Sequence, residues 1–170
     1  MIEWWNGKAW TARKGAAAPR GMEPGLSGVS CPSAGRCLTV GTGTYATSFR
    51  SWAVGFDEIW DGRSWRFAAM PGAGGMLRVS CAAASRCVAA GDAPYEDSQR
   101  AAALTWTGYA WAVTAIPAPG NGQSSMFMDV TCRSAADCVA VGQQGRLGSP
   151  YSTGLTGFWS GKSWRLVTAR

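Results

Sequence analysis

The chain repeats one pattern three times, first as Val29-Ser-Cys-Pro-Ser-Ala-Gly-Arg-Cys-Leu-Thr-Val-Gly41. It returns as Val79-Ser-Cys-Ala-Ala-Ala-Ser-Arg-Cys-Val-Ala-Ala-Gly91 and as Val130-Thr-Cys-Arg-Ser-Ala-Ala-Asp-Cys-Val-Ala-Val-Gly142. The first cysteines of these segments, Cys31, Cys81 and Cys132, lie 50 and 51 residues apart. Short strand-forming stretches with such a period indicate a β-propeller or another stacked array of sheets.

A second motif, Trp-x-Gly-x-x-Trp, lies between the cysteine segments. It occurs four times, at Trp5–Trp10, Trp60–Trp65, Trp106–Trp111 and Trp159–Trp164. In two copies the central pair is Asn-Gly or Asp-Gly, which supplies the positive φ angles of a two-residue hairpin turn. The motif therefore predicts a β-hairpin with one Trp on each strand.

The Asp61-Gly62 pair predicts the register of its hairpin. A two-residue turn there pairs Trp60 with Arg63 and Glu58 with Trp65. Strand alternation then places four aromatic side chains on one face: Phe56, Trp60, Trp65 and Phe67. Because the pattern recurs in every unit, we interpret these Trp side chains as packing between neighbouring sheets.

The Cys-x5-Cys spacing predicts three disulfide-closed hairpins. Five intervening residues allow a short loop, with the two sulfurs facing each other across adjacent strands. Six cysteines permit many pairings, and the repeat favours Cys31–Cys37, Cys81–Cys87 and Cys132–Cys138. Zinc would need all-cysteine sites assembled across units, since the chain has no His and no Cys-x-x-Cys. Disulfides form in oxidising compartments, so we expect a secreted or extracellular protein.

These motifs predict an all-β fold, a β-propeller-like array of about three and a half four-stranded blades with intra-hairpin disulfides. We expect a single domain over 1–170, with half a blade at about 2–19 and full blades at about 26–71, 76–119 and 126–170. An open arc leaves two apolar faces exposed. We therefore expect a homo-oligomer or part of a larger propeller; the alternative is a cramped four-blade ring that closes alone.

Composition excludes several classes of function. The chain has 170 residues, 16 Lys+Arg, 10 Asp+Glu, 10 Trp and no His. Without His there is no Ser-His or Cys-His catalysis, no His-bound zinc and no His pH switch. We expect no cofactor, no metal and no membrane insertion, because the longest apolar stretches are only a few residues. The arginines are scattered and no reader motif is present, so we expect no nucleic-acid partner despite the net charge of +6.

The N-terminus, Met1-Ile-Glu-Trp-Trp-Asn-Gly-Lys, does not have the pattern of a signal peptide. It has no basic n-region, no apolar h-region and no small-residue cleavage site. The expected extracellular location therefore rests on the cysteine pattern, without a signal peptide in this chain.

Repeats of the form Ser-Cys-x5-Cys-x-Ala-Val-Gly followed by Trp-x-Gly-x-x-Trp resemble those of secreted actinobacterial β-propeller repeat proteins. The resemblance covers nearly the whole chain and rests on framework positions. It implies four-stranded blades, secretion and a role in binding other proteins or surface polymers, and it implies no catalytic residues. The chain departs from a full propeller because it holds four Trp hairpins and only three Cys hairpins.

Candidate ligand-binding residues lie in the polar connections after each Cys hairpin, predicted as long loops over 42–51, 92–100 and 143–153. Two of these connections place Tyr four residues and Arg nine residues after the motif glycine. The candidates are Tyr45, Ser48, Arg50, Tyr95, Ser98, Arg100 and Tyr151. Tyr rings on one rim can stack on sugars while hydroxyl and Arg groups hydrogen-bond to them. The chain is therefore predicted to bind a glycan, a cell-surface polymer or an extracellular protein; alternatively, Tyr and Arg only hold the loops to the blade edge.

A propeller-type carbohydrate-active hydrolase or lyase is the alternative function. Its acids would come from Asp57, Glu58, Asp61, Asp92, Glu96, Asp97, Asp129 and Asp137. Sialidase propellers carry turns of the form Ser-x-Asp-x-Gly-x-x-Trp, and only the Gly-x-x-Trp tail occurs here. The sequence therefore assigns no catalytic residue and favours a binding protein over an enzyme.

Overall fold

A computed structural model shows a chain built of antiparallel β-strands. It describes residues 1–95, 98–118, 123–146, 149 and 152–169, without the side chains of Met76, Leu77 and Tyr95. The strands form one two-stranded sheet and three four-stranded sheets among these residues. This confirms the predicted all-β array, in which half a unit is followed by three full four-stranded units. The described part of the chain holds no helix long and apolar enough to cross a membrane.

The strands of each sheet follow one another in chain order, joined as successive hairpins. Sheet 1 consists of β1 (Ile2–Trp5) and β2 (Trp10–Arg13). Sheet 2 consists of β3 (Met22–Ser33), β4 (Arg36–Ala46), β5 (Ser51–Trp60) and β6 (Trp65–Ala69). Sheet 3 consists of β7 (Gly75–Ala83), β8 (Arg86–Tyr95), β9 (Ser98–Trp106) and β10 (Trp111–Thr114). Sheet 4 consists of β11 (Gln123–Ser134), β12 (Asp137–Arg146), β13 (Ser152–Trp159) and β14 (Trp164–Thr168).

Each four-stranded sheet begins with a disulfide-closed hairpin. The predicted pairs are confirmed: Cys31–Cys37, Cys81–Cys87 and Cys132–Cys138. The second cysteine of each pair is almost fully buried. The disulfides therefore close the turn between the first two strands of every full sheet.

The Trp hairpins differ from the predicted register. Trp60 lies directly opposite Trp65, and Glu58 lies opposite Phe67, so the predicted pairing was wrong. The turn has four residues, because the Asp61 carboxylate accepts hydrogen bonds from the amides of Arg63 and Ser64, both at 2.9 Å. An aspartate that binds the next amides of its own turn favours this longer loop.

The predicted aromatic face is nevertheless confirmed. Trp60 and Trp65 lie 5.5 Å apart between ring centroids, and Phe56 stacks on Phe67 at 5.2 Å. Both register schemes keep these side chains on one side of the sheet, since a shift by two residues preserves the face. We call the side of a sheet that carries both Trp residues of its hairpin its Trp face.

The Trp face of each later sheet packs on the preceding sheet. Trp106 and Trp111 of sheet 3 share a core with Leu38, Val40 and Ile59 of sheet 2. The equivalent core between sheets 3 and 4 includes Val88, Ala90, Ala103, Phe127, Leu155, Trp159 and Trp164. Sheet 3 is therefore buried through both of its faces, and the Trp residues of sheets 3 and 4 pack between neighbouring sheets as predicted, whereas Trp5 and Trp10 of sheet 1 are exposed.

Repeated hydrogen bonds join neighbouring sheets. Ser30 Oγ accepts a hydrogen bond from the amide of Cys81 at 3.0 Å, and Ser80 Oγ accepts one from the amide of Cys132 at 2.9 Å. The serine before the first cysteine of one sheet thus holds the first cysteine of the next. This contact fixes the position of β3 relative to β7 and of β7 relative to β11.

The array is open among the described residues, because sheet 4 does not pack extensively on sheet 1. The outer face of sheet 4 exposes Val141, Phe158 and Val167 to solvent. Their counterparts in sheet 2, Val40 and Ile59, are buried under sheet 3. The last sheet therefore presents an apolar face of the kind that sheets 2 and 3 cover.

Candidate functional site

The polar connections after the Cys hairpins are shorter than predicted. β4 continues to Ala46 and β5 begins at Ser51, so most of the segment 42–51 is strand. β8 continues to Tyr95 and β9 begins at Ser98, which makes most of 92–100 strand as well. The prediction of long loops was wrong because the polar residues here still pair their backbone groups across the hairpin, as Tyr45 does with Trp52.

The β4–β5 hairpin carries an aromatic stack near its tip, in which Tyr45 is half-buried and Trp52 is exposed. Tyr45 and Trp52 lie opposite each other, with ring centroids 5.3 Å apart and planes within 15° of parallel. Phe49, in the turn, is 99% exposed. Arg50 and Ser48 lie in the same turn and are also exposed. We call the side chains of Tyr45, Trp52, Phe49, Arg50 and Ser48 the aromatic tip.

Thr47 sets the shape of the aromatic tip. Its hydroxyl accepts hydrogen bonds from the amides of Phe49 at 3.4 Å and Arg50 at 3.1 Å. The amide of Thr47 donates to the carbonyl of Arg50 at 2.8 Å, which closes the four-residue turn. These bonds order the backbone that carries Phe49 and Arg50.

Trp52 is the functional candidate that sequence reasoning missed. Eight of the ten Trp residues belong to the paired motif, and Trp52 does not. An aromatic residue outside the repeat that flanks a surface turn is a candidate for binding, because loops and their flanks carry binding residues on a rigid scaffold. That signal was present in the sequence and points to the same hairpin as Tyr45.

The second candidate set does not reproduce the first. Ser98 pairs with Tyr95 through the backbone, and Arg100 of β9 pairs with Ala93 of β8. Arg50, by contrast, lies in a turn before β5. Equal spacing from the motif glycine therefore leads to different positions, because the two hairpins turn over different numbers of residues. The side chain of Tyr95 and the whole of Tyr151 lie outside the described residues.

A small polar cavity of about 200 Å³ lies between the hairpin ends of sheets 3 and 4. Its lining is rich in hydroxyl and amide groups and includes Gln99, Ser124, Gln143, Arg146 and Ser152. Ser124 Oγ accepts a hydrogen bond from the amide of Gln99 at 3.3 Å, and Ser152 donates to Gln143 at 3.5 Å. This cavity offers hydrogen bonds but no stacking surface from its lining residues.

The carboxylates predicted as possible acids have different surroundings in the structure. Asp57 is buried between sheets and accepts a hydrogen bond from Trp111 Nε1 at 2.9 Å. Glu58 accepts one from the amide of Ala16 at 2.9 Å, which holds the segment between sheets 1 and 2. Burial raises the pKa of Asp92, and Asp137 is paired with Arg133. Glu96 and Asp97 lie outside the described residues.

Burial raises the pKa of Asp57 to about 6, against the opposing effects of its Trp111 hydrogen bond and of Arg66 and Arg36. The group lies in a packed seam and touches a structural indole. Among the described residues, no group of three or more His, Cys, Asp or Glu side chains is arranged to hold a metal ion. The raised pKa of Asp57 is thus a consequence of the packing between sheets.

An apolar groove of about 670 Å³ lies between sheet 1 and the first strands of sheet 2. Its walls include Trp4 and Trp5 from β1, Leu26 and Val29 from β3, and Trp65 from β6. Trp4 also contacts Trp60, with ring centroids 5.8 Å apart. The Trp65 Nε1–H is buried and has no hydrogen-bond partner in the described part of the chain.

No protein-family model matches the chain, and no curated protein matches its sequence. Function is therefore inferred from the fold and from the exposed side chains.

Proposed function

We propose that this protein is an extracellular binding module that recognises a glycan or cell-surface polymer through the aromatic tip. The Tyr45–Trp52 stack supports this proposal most directly, since two large rings lie parallel and near the end of an exposed hairpin. Tyr and Trp combine an apolar ring with a polar group, which suits a ligand with apolar C–H faces and hydroxyl edges. Glycans have this chemistry.

Charge and neighbouring groups support an acidic or polyhydroxylated ligand. Arg50 and Ser48 lie in the exposed turn between Tyr45 and Trp52 and offer hydrogen-bond donors. The net charge of +6 attracts acidic polymers over longer distances. The polar cavity near Gln99 and Gln143 provides a second place for sugar hydroxyls on the adjoining hairpins.

Three disulfides support the extracellular location, because such bonds persist in oxidising compartments. The proposal follows the resemblance to secreted actinobacterial β-propeller repeat proteins, in which the blades form the scaffold. In this interpretation the sheets hold the aromatic tip rigid, and no residue is assigned a catalytic role.

A glycan array followed by sedimentation with insoluble polysaccharides tests the proposal. We expect saturable binding that falls about tenfold or more in a Tyr45→Ala/Trp52→Ala variant, since a loss of about 1.4 kcal/mol corresponds to a factor of ten. Tyr109→Ala is the control, because Tyr109 is an exposed aromatic residue in the Trp-hairpin turn between β9 and β10, outside the aromatic tip. Binding by this control should be unchanged.

Three outcomes would contradict glycan binding at this tip. The first is a blank array together with capture of an extracellular protein. The second is equal loss of binding in Tyr109→Ala and in the double variant. The third is release of sugars from a polysaccharide panel by the wild type, which would show the hydrolase or lyase alternative instead.

A further inference from the structure

We propose that the apolar groove between sheets 1 and 2 binds a disulfide-closed β-hairpin with this chain's own Ser-Cys-x5-Cys pattern, supplied by a partner polypeptide. The hairpin adds two strands to the free edge of β1 and completes sheet 1 as a four-stranded sheet. This site lies apart from the aromatic tip and does not depend on the proposed glycan binding.

Strand order identifies the free edge. β1 and β2 form a Trp hairpin equivalent to β5–β6, β9–β10 and β13–β14. In each full sheet the first Trp of that hairpin pairs with the second cysteine of a Cys hairpin, as in Cys37↔Trp60, Cys87↔Trp106 and Cys138↔Trp159. Within the described part of the chain, β1 pairs only with β2. The equivalent partner position is therefore opposite Trp5, and the added hairpin should place its second cysteine there.

The exposure of Val29 indicates which surface of sheet 2 the added hairpin would bury. Val79 and Val130, at the start of the Cys motif, are 7% and 6% exposed because they pack on the Cys hairpin region of the preceding sheet. Val29 holds the same position in sheet 2 and is 62% exposed. It lines the groove. An added Cys hairpin in sheet 1 would cover Val29 in the way that sheets 2 and 3 cover its counterparts.

The serine contacts between sheets explain why the occupant should carry the Ser-Cys sequence. Ser30 and Ser80 each accept a hydrogen bond from the first cysteine amide of the following sheet. In sheet 2 the equivalent first cysteine is Cys31, which lines the groove. A serine immediately before the first cysteine of the added hairpin would stand where it can accept from Cys31. Backbone pairing with an exposed strand edge supplies affinity, while such side-chain contacts supply specificity.

Binding of a synthetic hairpin peptide to the full chain tests this inference. The probe is residues 75–95 of this chain with the Cys81–Cys87 disulfide formed, because these residues are β7 and β8 with the native Ser80. We expect a 1:1 complex by calorimetry and slowed amide exchange in β1. The Ser80→Ala peptide should bind about fivefold more weakly, since one hydrogen bond contributes about 1 kcal/mol.

Variants of the protein identify the groove. Val29→Asp should weaken the peptide complex about tenfold or more by placing a charge in the apolar contact, and Val113→Asp should leave it unchanged. Both valines are exposed strand residues, so neither change disturbs the core. Circular dichroism and thermal unfolding check that both variants fold.

No saturable binding, or equal binding by Val29→Asp and the wild type, would overturn the proposal. So would equal affinity of the Ser80→Ala and native peptides, which tests the serine contact without altering the protein. A third contradiction would be a dimer of the wild type that Val29→Asp dissociates and that excludes the peptide, because the occupant would then be a second copy.

Discussion

Asp57 links the chemistry of one side chain to the packing of two sheets. Its Oδ2 accepts the Trp111 Nε1–H from the next sheet, while its Oδ1 is buried with no hydrogen-bond partner in the described part of the chain. Burial is the main cause of its raised pKa, about 6 against an ordinary 3.8. The folded protein therefore holds the Asp57 proton more tightly than the unfolded chain does.

This difference predicts a pH dependence of stability. As pH rises from about 4 to about 6, the unfolded chain releases the Asp57 proton first, so the free energy of unfolding should fall. Asp57→Asn keeps an acceptor for Trp111 but does not ionise. It should flatten this slope and raise the free energy of unfolding at pH 7 by up to about 3 kcal/mol, measured by urea unfolding across this range.

Asp61→Asn is the control for the Asp57 experiment. Hydrogen bonds from the amides of Ser64 and Arg63 lower the pKa of Asp61, so this residue contributes stability that is lost as pH falls. Burial also raises the pKa of Asp92, so part of the pH dependence of the free energy of unfolding should remain in either variant. An unchanged slope in Asp57→Asn would contradict the assignment of the pH dependence to this seam.

The Cys hairpin is the element in which covalent and packing contributions are easiest to separate. All three disulfides span the same sequence separation of 6. A short closed loop limits the chain entropy that each bond removes from the unfolded state. Replacing Cys81 and Cys87 together by Ala should therefore lower the free energy of unfolding by about 2 kcal/mol, measured by urea denaturation.

The other two cysteine pairs serve as matched comparisons for that variant. Because loop closure depends on loop length, the Cys31/Cys37 and Cys132/Cys138 double replacements should lose similar amounts of stability. A loss several times larger at one pair would show that packing around the second cysteine, and not loop closure, sets the effect.

At the element level, the repeat predicted pairing partners better than turn geometry. The disulfides and the shared face of Trp60 and Trp65 follow from spacing alone, because they depend only on strand alternation. The register of the hairpin at Asp61 could not be predicted from spacing, since the Asp61 side chain binds two amides of its own turn. The Tyr45–Trp52 stack forms because β4 and β5 extend far along the hairpin. The polar composition of this segment predicted a loop instead, so the stack could not be predicted.

The whole molecule is an array with two unlike ends. One end exposes Trp5 and Trp10 of sheet 1, and the other exposes Val141, Phe158 and Val167 of sheet 4. Arg165 lies over the Phe158 ring at 4.6 Å and covers part of that face. Large exposed apolar faces favour association, so we propose that the array assembles with a second copy or within a larger propeller.

Light scattering at several concentrations tests this assembly. We expect a mass above that of one chain, which should fall towards a single chain in a Val141→Ser/Phe158→Ser variant. Val113→Ser is the control, because Val113 is exposed on the outermost strand of sheet 3. A wild type that stays a monomer at every concentration would contradict association through the sheet 4 face.

The two unlike faces of each sheet also give the molecule a direction. Sheet 3 meets sheet 2 through its Trp face and meets sheet 4 through its opposite face, and the contacts from Ser30 and Ser80 run in the same sense. A duplicated gene segment of one repeat would therefore encode a sheet that fits between any two neighbours without a new interface. Such a molecule can lengthen or shorten during evolution by whole repeats while its existing surfaces are retained.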